Sequence, residues 1–152
     1  MIVAHIDGGS RGNPGPAGFG VRLSRPDGSL VAEFGEAIGI ATNNVAEYRG
    51  LLAALRYAVE HGHRNLLVRS DSLLLVCQMR GEYKVKNAGL QPLHAEARLL
   101  AARLDRVRFE HLPREQNARA DRLANQAMDE AERAAVTPRP PGAVVLDPTP
   151  RA

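Results

Sequence analysis

Four carboxylates in this chain stand at places from which acids can converge: Asp7, Glu47, Asp71 and Asp121. Asp7 follows the apolar run Met1-Ile2-Val3-Ala4-His5-Ile6, and Asp71 follows Leu66-Leu67-Val68-Arg69-Ser70. Glu47 and Asp121 each fall near the start of a stretch with helical periodicity. Strand ends of a mixed sheet are where ligand crevices form. Unpaired acids gathered there repel one another, and a divalent cation relieves that repulsion. Hard oxygen ligands, with a single cysteine and few histidines in the chain, suit Mg²⁺ or Mn²⁺ rather than zinc. Taken singly, each acid reads equally well as a cap, a surface charge or half of an ion pair.

Asp7 opens the most unusual stretch, Asp7-Gly8-Gly9-Ser10-Arg11-Gly12-Asn13-Pro14-Gly15-Pro16. It reads as a strand that ends at the acid, followed by a tight loop. Glycine lets backbone approach a ligand closely, and the prolines stiffen the exit. Gly8-Gly9-Ser10-Arg11-Gly12 also fits G-x-S-x-G, which would make Ser10 a hydrolase nucleophile with His111 as its base. That motif must turn directly into a helix. Asn13-Pro14-Gly15-Pro16 forbids one, and a serine hydrolase would survive a chelator.

The elements that must hold these residues follow from periodicity. Residues 17–24 and 30–35 read as strands joined by a Pro26-Asp27-Gly28 turn, so with the first strand they form an antiparallel meander. After the capping residues Thr42-Asn43-Asn44, apolar Tyr48, Leu51, Leu52, Leu55 and Val59 mark a helix with one buried face, ended by Gly62. Glu47 lies just off that face. A strand over 65–70 ends at Asp71, and a helix runs to about Met79. Pro92 suits the first turn of the next helix, which continues to about Leu104. Residues 106–111 alternate as a last strand. Asn117 can cap a final helix with Asp121 near its start. The order β-β-β-α-β-α-α-β-α predicts an α/β fold: a five-stranded mixed sheet, three antiparallel strands then two parallel, with helices on both faces.

At 152 residues the chain is long enough for one domain with a real core. No apolar run approaches the ~20 residues of a membrane span, and the first seven residues carry no basic leader or cleavage site, so the expectation is a cytoplasmic protein with no membrane partner. Cys77, inside Leu73-Leu74-Leu75-Val76-Cys77, reads as a buried thiol. The charge of +3 permits a phosphate-bearing partner and equally suits a solvated surface. Composition changes after Val136, where five of the ten prolines fall. The division is a catalytic domain over 1–135 and a Pro-rich flexible tail or linker over 136–152, leading toward a possible fused or neighbouring domain.

Four segments in order carry a resemblance: Asp7-Gly8-Gly9-Ser10-Arg11-Gly12-Asn13-Pro14-Gly15, Thr42-Asn43-Asn44-Val45-Ala46-Glu47-Tyr48, Ser70-Asp71-Ser72, and Arg114-Glu115-Gln116-Asn117-Ala118-Arg119-Ala120-Asp121. Together they resemble type 1 ribonuclease H over about residues 1 to 133. The resemblance implies an endonuclease that cleaves the RNA strand of an RNA–DNA hybrid with two metal ions, leaving 5′-phosphate and 3′-hydroxyl ends. It places the metal ligands on Asp7, Glu47, Asp71 and Asp121. Asp7 would bridge both ions, Asp121 would serve the ion that activates water, and Glu47 and Asp71 the ion on the leaving-group side. Two ions ~4 Å apart stabilise the entering and departing oxygens of an in-line displacement. The implied substrate contacts are Gly9, Ser10, Asn13, Thr42, Asn43 and Asn44: Asn13, Asn43 and Asn44 would meet the RNA 2′-hydroxyls, which amides suit because they donate and accept, and Thr42 would meet a DNA phosphate.

Two departures from the family pattern set expectations of their own. Many members carry a histidine in the loop before the last acid. The loop Leu112-Pro113-Arg114-Glu115-Gln116 has none, so Arg114 is the expected auxiliary catalytic residue and His111 a structural one. The family's inserted basic helix does not fit between Gly81 and Gln91, leaving Arg80, Lys84 and Lys86 as a reduced counterpart. The alternative function is a hybrid-binding module of a larger fused enzyme, without catalysis; the presence of all four acids argues against it.

Overall fold

The computed structural model describes residues 1–136; the Pro-rich tail lies outside the described residues. Five strands form one sheet: β1 (Ile2–Ser10), β2 (Gly15–Ser24), β3 (Leu30–Ala41), β4 (Asn65–Ser70) and β5 (Arg106–His111). Their spatial order is β3-β2-β1-β4-β5. β1, β2 and β3 pair antiparallel, whereas β4 pairs parallel to both β1 and β5. Helices α1 (Asn43–Glu60), α2 (Leu73–Met79), α3 (Gln91–Ala101) and α4 (Ala118–Val136) connect and flank the strands.

Strand alternation divides the packing. Ile2, Ala4 and Ile6 of β1, Phe19, Val21 and Leu23 of β2, and Leu66 and Val68 of β4 join α1 residues Tyr48, Leu51, Leu52 and Leu55 in one core. α4 lies on the opposite face, over β1, β2 and β3. Its buried stripe is mostly small, Ala120, Ala124, Ala127 and Ala131, with Met128 beside them. A Cβ at Gly18 would come within 2.5 Å of the Ala127 Cβ, and one at Gly20 within 2.5 Å of the Ala120 carbonyl oxygen. Small residues on both sides let the helix axis approach the sheet closely.

Three boundaries depart from the expectation. β1 does not stop at Asp7 but runs on to Ser10, because its ladder to β2 outlasts its ladder to β4. The parallel pairing ends at Ile6↔Ser70, whereas the antiparallel pairing continues through Gly8↔Phe19 and Gly9↔Gly18 to Ser10↔Ala17. β3 continues to Ala41 rather than residue 35, pairing past a register shift beside Gly39, whose φ of +75° suits glycine. Asn117 does not cap the last helix. It closes a single 3-10 turn, Arg114–Asn117, and its buried Nδ2 donates to the Ile6 carbonyl at 2.8 Å.

Candidate active site

Asp7 is the first residue of β1 beyond the β4 ladder, at the place where the sheet changes from antiparallel to parallel. Asp71 follows directly on the last residue of β4. Each is delivered by a strand whose hydrogen bonds on both sides fix its height. Glu47 comes from the first turns of α1, and Gly8 lets it in. A Cβ at Gly8 would lie 2.4 Å from the Ala46 carbonyl carbon and 2.6 Å from the Glu47 nitrogen, so only a glycine admits the helix backbone there. Thr42 sets where that helix begins, its Oγ1 accepting from the Val45 N–H at 3.2 Å.

The result is a tight group. Asp7, Glu47 and Asp71 each offer a carboxylate oxygen, and these oxygens lie within 4.8 Å of one another. Asp7 and Glu47 are buried, with 7% and 9% exposure. Glu47 Oε2 is a buried acceptor with no partner among the described residues. Asp121, in the first turn of α4, stands outside this mutual set but against Asp7. Burial, followed by the charge of Asp71 and by contact with Asp121, pushes the Asp7 carboxyl up to about 8. Burial and the charges of Asp7 and Asp71 push Glu47 well above the carboxylate range. Asp71 is raised by burial, against an opposing pull from Arg114. A site of crowded acids with an orphaned buried oxygen and an all-oxygen donor set fits a hard divalent cation.

The acids line an open cleft of about 520 Å³ that Gly9, Ser10, Arg11, Asn43, His111, Arg114, Asn125 and Met128 share. Its rim is a polar network. The Asn43 Oδ1 accepts from the Ser10 N–H at 2.8 Å and from the Ser10 hydroxyl at 3.2 Å, and the Asn43 N–H donates to Asn13 Oδ1 at 3.0 Å. Three of the expected contact residues, Ser10, Asn13 and Asn43, are therefore joined at the junction of β1, its loop and α1, with Thr42 next to Asn43 in the chain and Gly9 next to Ser10. Asn44 is exposed beside them in the first turn of α1. Ser10 ends β1, and the chain beyond it is closed by the Arg11 N–H donating to the Pro16 carbonyl at 2.8 Å. No helix follows, and the Ser10 hydroxyl is engaged by Asn43, so nothing supports Ser10 as a nucleophile.

Arg114 is 78% exposed on its side chain, with Nη2 3.7 Å from Asp121 Oδ1. His111 ends β5 and places Nε2 3.3 Å from the Asp71 carbonyl oxygen. Both line the cleft. Arg80 donates its Nε–H to the Phe109 carbonyl at 3.0 Å, so it is partly engaged in structure. Asn125 and Met128 were not singled out by the sequence, although both lie on the face of α4 that begins at Asp121, at helical spacing. Asn117 has the residue type of a cap and instead ties the 3-10 turn to the strand that carries Asp7.

A sheet of order 3-2-1-4-5 with an acid cluster where its antiparallel and parallel halves meet defines a ribonuclease H-like domain. A family model described as reverse transcriptase-like matches residues 5–127. The chain is 45% identical to a solved structure of ribonuclease H1 from the archaeon Halobacterium salinarum, with a TM-score of 0.82, covering 86% of this chain and 98% of that one. It superposes equally well, at 42% identity and a TM-score of 0.82 over 87% of this chain and 99% of the other, on LC11 ribonuclease H1 from compost, solved in complex with an RNA/DNA hybrid. The chain belongs to the ribonuclease H family. It is also 49% identical over 150 residues to the bifunctional protein Rv2228c of Mycobacterium tuberculosis, covering 98% of this chain but spanning 41% of that relative. The N-terminal ribonuclease H domain of Rv2228c superposes with a TM-score of 0.86 at 50% identity, covering 88% of this chain and 97% of the domain. Among the described residues no helix is long and apolar enough to cross a membrane.

Proposed function

We propose that this chain is a ribonuclease H that hydrolyses the RNA strand of RNA–DNA hybrids with divalent metal ions, leaving 5′-phosphate and 3′-hydroxyl ends. The observation that carries the reading is the carboxylate group Asp7, Glu47 and Asp71, mutually within 4.8 Å, with Asp121 against Asp7. The LC11 relative holding an RNA/DNA hybrid supports the choice of substrate. Mg²⁺ is the expected ion and Mn²⁺ its substitute; two such ions would charge-stabilise the entering and leaving oxygens of an in-line displacement. Asp7 is close both to the Glu47–Asp71 pair and to Asp121, which suits a ligand shared by both ions. Asp121 would serve the ion on the water side, and Glu47 and Asp71 the one on the leaving-group side.

The rim supplies the discrimination. The Ser10 hydroxyl hydrogen and the Asn43 amide oxygen are spent on each other. What remains toward the cleft is complementary: lone pairs on Ser10 Oγ, and N–H donors on the Asn43 side chain. A 2′-hydroxyl donates and accepts, so it satisfies both, whereas a deoxyribose satisfies neither. Thr42 spends its acceptor on Val45 and keeps its hydroxyl hydrogen for a phosphate oxygen. Asn13, Asn44 and the Gly9 backbone complete the surface. Arg114 would hold a phosphate through charge-assisted hydrogen bonds, since a guanidinium fork suits an anion and does not serve as a general base. Outside the domain, the Rv2228c relative supports a fused or neighbouring partner domain beyond the Pro-rich tail.

The test is cleavage of end-labelled RNA–DNA hybrid, duplex RNA and duplex DNA, each with Mg²⁺ and with chelator. Cleavage confined to the RNA of the hybrid, and abolished by chelator, is expected. Binding without cleavage at any Mg²⁺ or Mn²⁺ concentration would establish the hybrid-binding module instead.

A further inference from the structure

Arg11 belongs to the glycine-rich loop and borders the cleft, yet its guanidinium is engaged by α4. Its guanidinium crosses to the far half of α4. Nη1 donates to Asp129 Oδ1 at 2.8 Å and to Glu132 Oε1, and Nη2 donates to Asn125, reaching Oδ1 at 3.1 Å and the carbonyl oxygen at 3.3 Å. These partners lie 114 to 121 positions away in sequence. The same residue closes the loop through its own backbone, its N–H donating to the Pro16 carbonyl. Directly before it, Ser10 makes both hydrogen bonds to Asn43. Asn125, Asp129 and Glu132 continue the stripe of α4 that starts at Asp121, since positions four and three apart share a helix face. Asn125 also donates from Nδ2 to the Asp121 carbonyl at 2.9 Å. Beneath the loop, a Cβ on Gly9 would touch the Met128 thioether at 3.4 Å.

We propose that Arg11 is a positioning residue: it clamps the β1–β2 loop to α4 and thereby holds Ser10, Asn13 and Asn43 in register with the helix that carries Asp121. The inference rests on the proposed reading of the rim as the surface that meets the RNA strand. The β1–β2 ladder holds both ends of the loop up to Ser10↔Ala17, and Asn43 at the first turn of α1 bonds Ser10 from one side. Between those points an exposed loop still samples other positions, and substrate must then order it; a tie to α4 removes that cost before binding. A single exposed ion pair contributes little, but a guanidinium fork held by two carboxylates and an amide fixes orientation as well as distance. Engaged in this way, Arg11 contacts α4 rather than a phosphate.

Three proteins decide the matter: Arg11→Ala, Arg11→Lys, and the double variant Asp129→Asn/Glu132→Gln. Hydrogen exchange of the free, metal-free proteins is read first. Arg11→Ala and the double variant are expected to speed exchange at the amides of residues 10–16, with β4 and the middle of α1 unchanged. On hybrid at saturating Mg²⁺, both should raise KM about tenfold with kcat within twofold of wild type, the size expected when a pre-ordered loop must be ordered by substrate. Arg11→Lys should recover part of the loss, because an ammonium reaches one carboxylate but cannot span the set. Unchanged exchange at residues 10–16 in Arg11→Ala overturns the clamp. So does a fall in the salt dependence of KM by about one counterion in Arg11→Ala, paired with an unaltered KM in the double variant; that pattern marks a direct phosphate contact. If wild type cleaves no hybrid, the functional reading fails while the exchange data still judge the clamp.

Discussion

At the scale of single residues, the site sets buried carboxylates apart from exposed polar and cationic groups that line the same cleft. Asp7 and Glu47 are inward and crowded against Asp71; Arg114 is outward, with Nη2 3.7 Å from Asp121 Oδ1, and its charge also bears on Asp71. His111 touches the Asp71 backbone, not an acid side chain. Arginine stays charged throughout the working range, so the role proposed for Arg114 is electrostatic positioning and not proton exchange. Removing it should therefore cost transition-state stabilisation and leave metal binding almost untouched. Arg114→Ala is expected to lower turnover of hybrid by roughly one to two orders of magnitude, the ~1.5–3 kcal/mol of a hydrogen bond to a charged group. His111→Ala should stay within a few-fold of wild type. The measurement is kcat at saturating Mg²⁺, with Mg²⁺ affinity read separately by calorimetry. A fully active Arg114→Ala beside a crippled, folded His111→Ala would reassign the auxiliary role to the histidine.

At the scale of elements, Glu47 reaches Asp7 only because α1 lies directly on β1 at Gly8. A methyl group there would meet backbone atoms of Ala46 and Glu47 at 2.4 to 2.6 Å, and backbone cannot step aside as a side chain tip can. Gly8→Ala is expected to destabilise the fold by about 1–3 kcal/mol, the usual cost of forcing extra volume into a packed site. It should also weaken Mg²⁺ binding by moving Glu47 away; denaturant titration and calorimetry report the two effects. This contact also marks the limit of what sequence periodicity conveys. The helical spacing of Tyr48, Leu51, Leu52 and Leu55 and the apolar runs before Asp7 and Asp71 located α1, β1 and β4 correctly, because one-sided burial leaves a helical period and burial on both faces leaves a continuous apolar run. The extension of β1 through Gly8–Ser10 left none, since glycines carry no alternation and the pairing is supplied by β2. β3 past Gly35 was hidden for the same reason, its mixed residues being held by backbone ladder and not by a buried face. Asn117 fits a cap by type, but the chain turns through a 3-10 segment first, so its side chain meets Ile6 instead. The acids were legible because each sits at an element boundary. The partners of Arg11 were not, because they lie more than a hundred positions away.

At the scale of the whole molecule, the acid cluster sets a balance between stability and function, and the fold bears its cost. The Asp7 carboxyl is raised from 3.8 to about 8 in the folded protein, chiefly by burial and then by Asp71. In the unfolded chain the same group loses its proton near the ordinary carboxylate value. Between about pH 4 and about pH 8 the folded state therefore binds a proton that the unfolded state has released, and stability falls as pH rises through that window, by up to ~1.4 kcal/mol per pH unit for one such group. Glu47 and Asp71, raised in the same direction, add to the trend. A divalent cation can take the place of those protons, so it should stabilise the protein most where the proton is lost. Wild type in chelator is thus expected to melt at progressively lower temperature on going from about pH 5 to about pH 8, and millimolar Mg²⁺ should restore the Tm most strongly at the alkaline end. Asp7→Asn removes one of the clustered charges. It should flatten the pH dependence, raise the metal-free Tm near pH 8 above that of wild type, and abolish cleavage by several orders of magnitude. A thermal melt series on the two proteins, with and without Mg²⁺, reads all but the cleavage. An Asp7→Asn protein with the wild-type pH slope, or a wild-type Tm at pH 8 that Mg²⁺ does not move, would mean that the acids neither hold shared protons nor gather a cation.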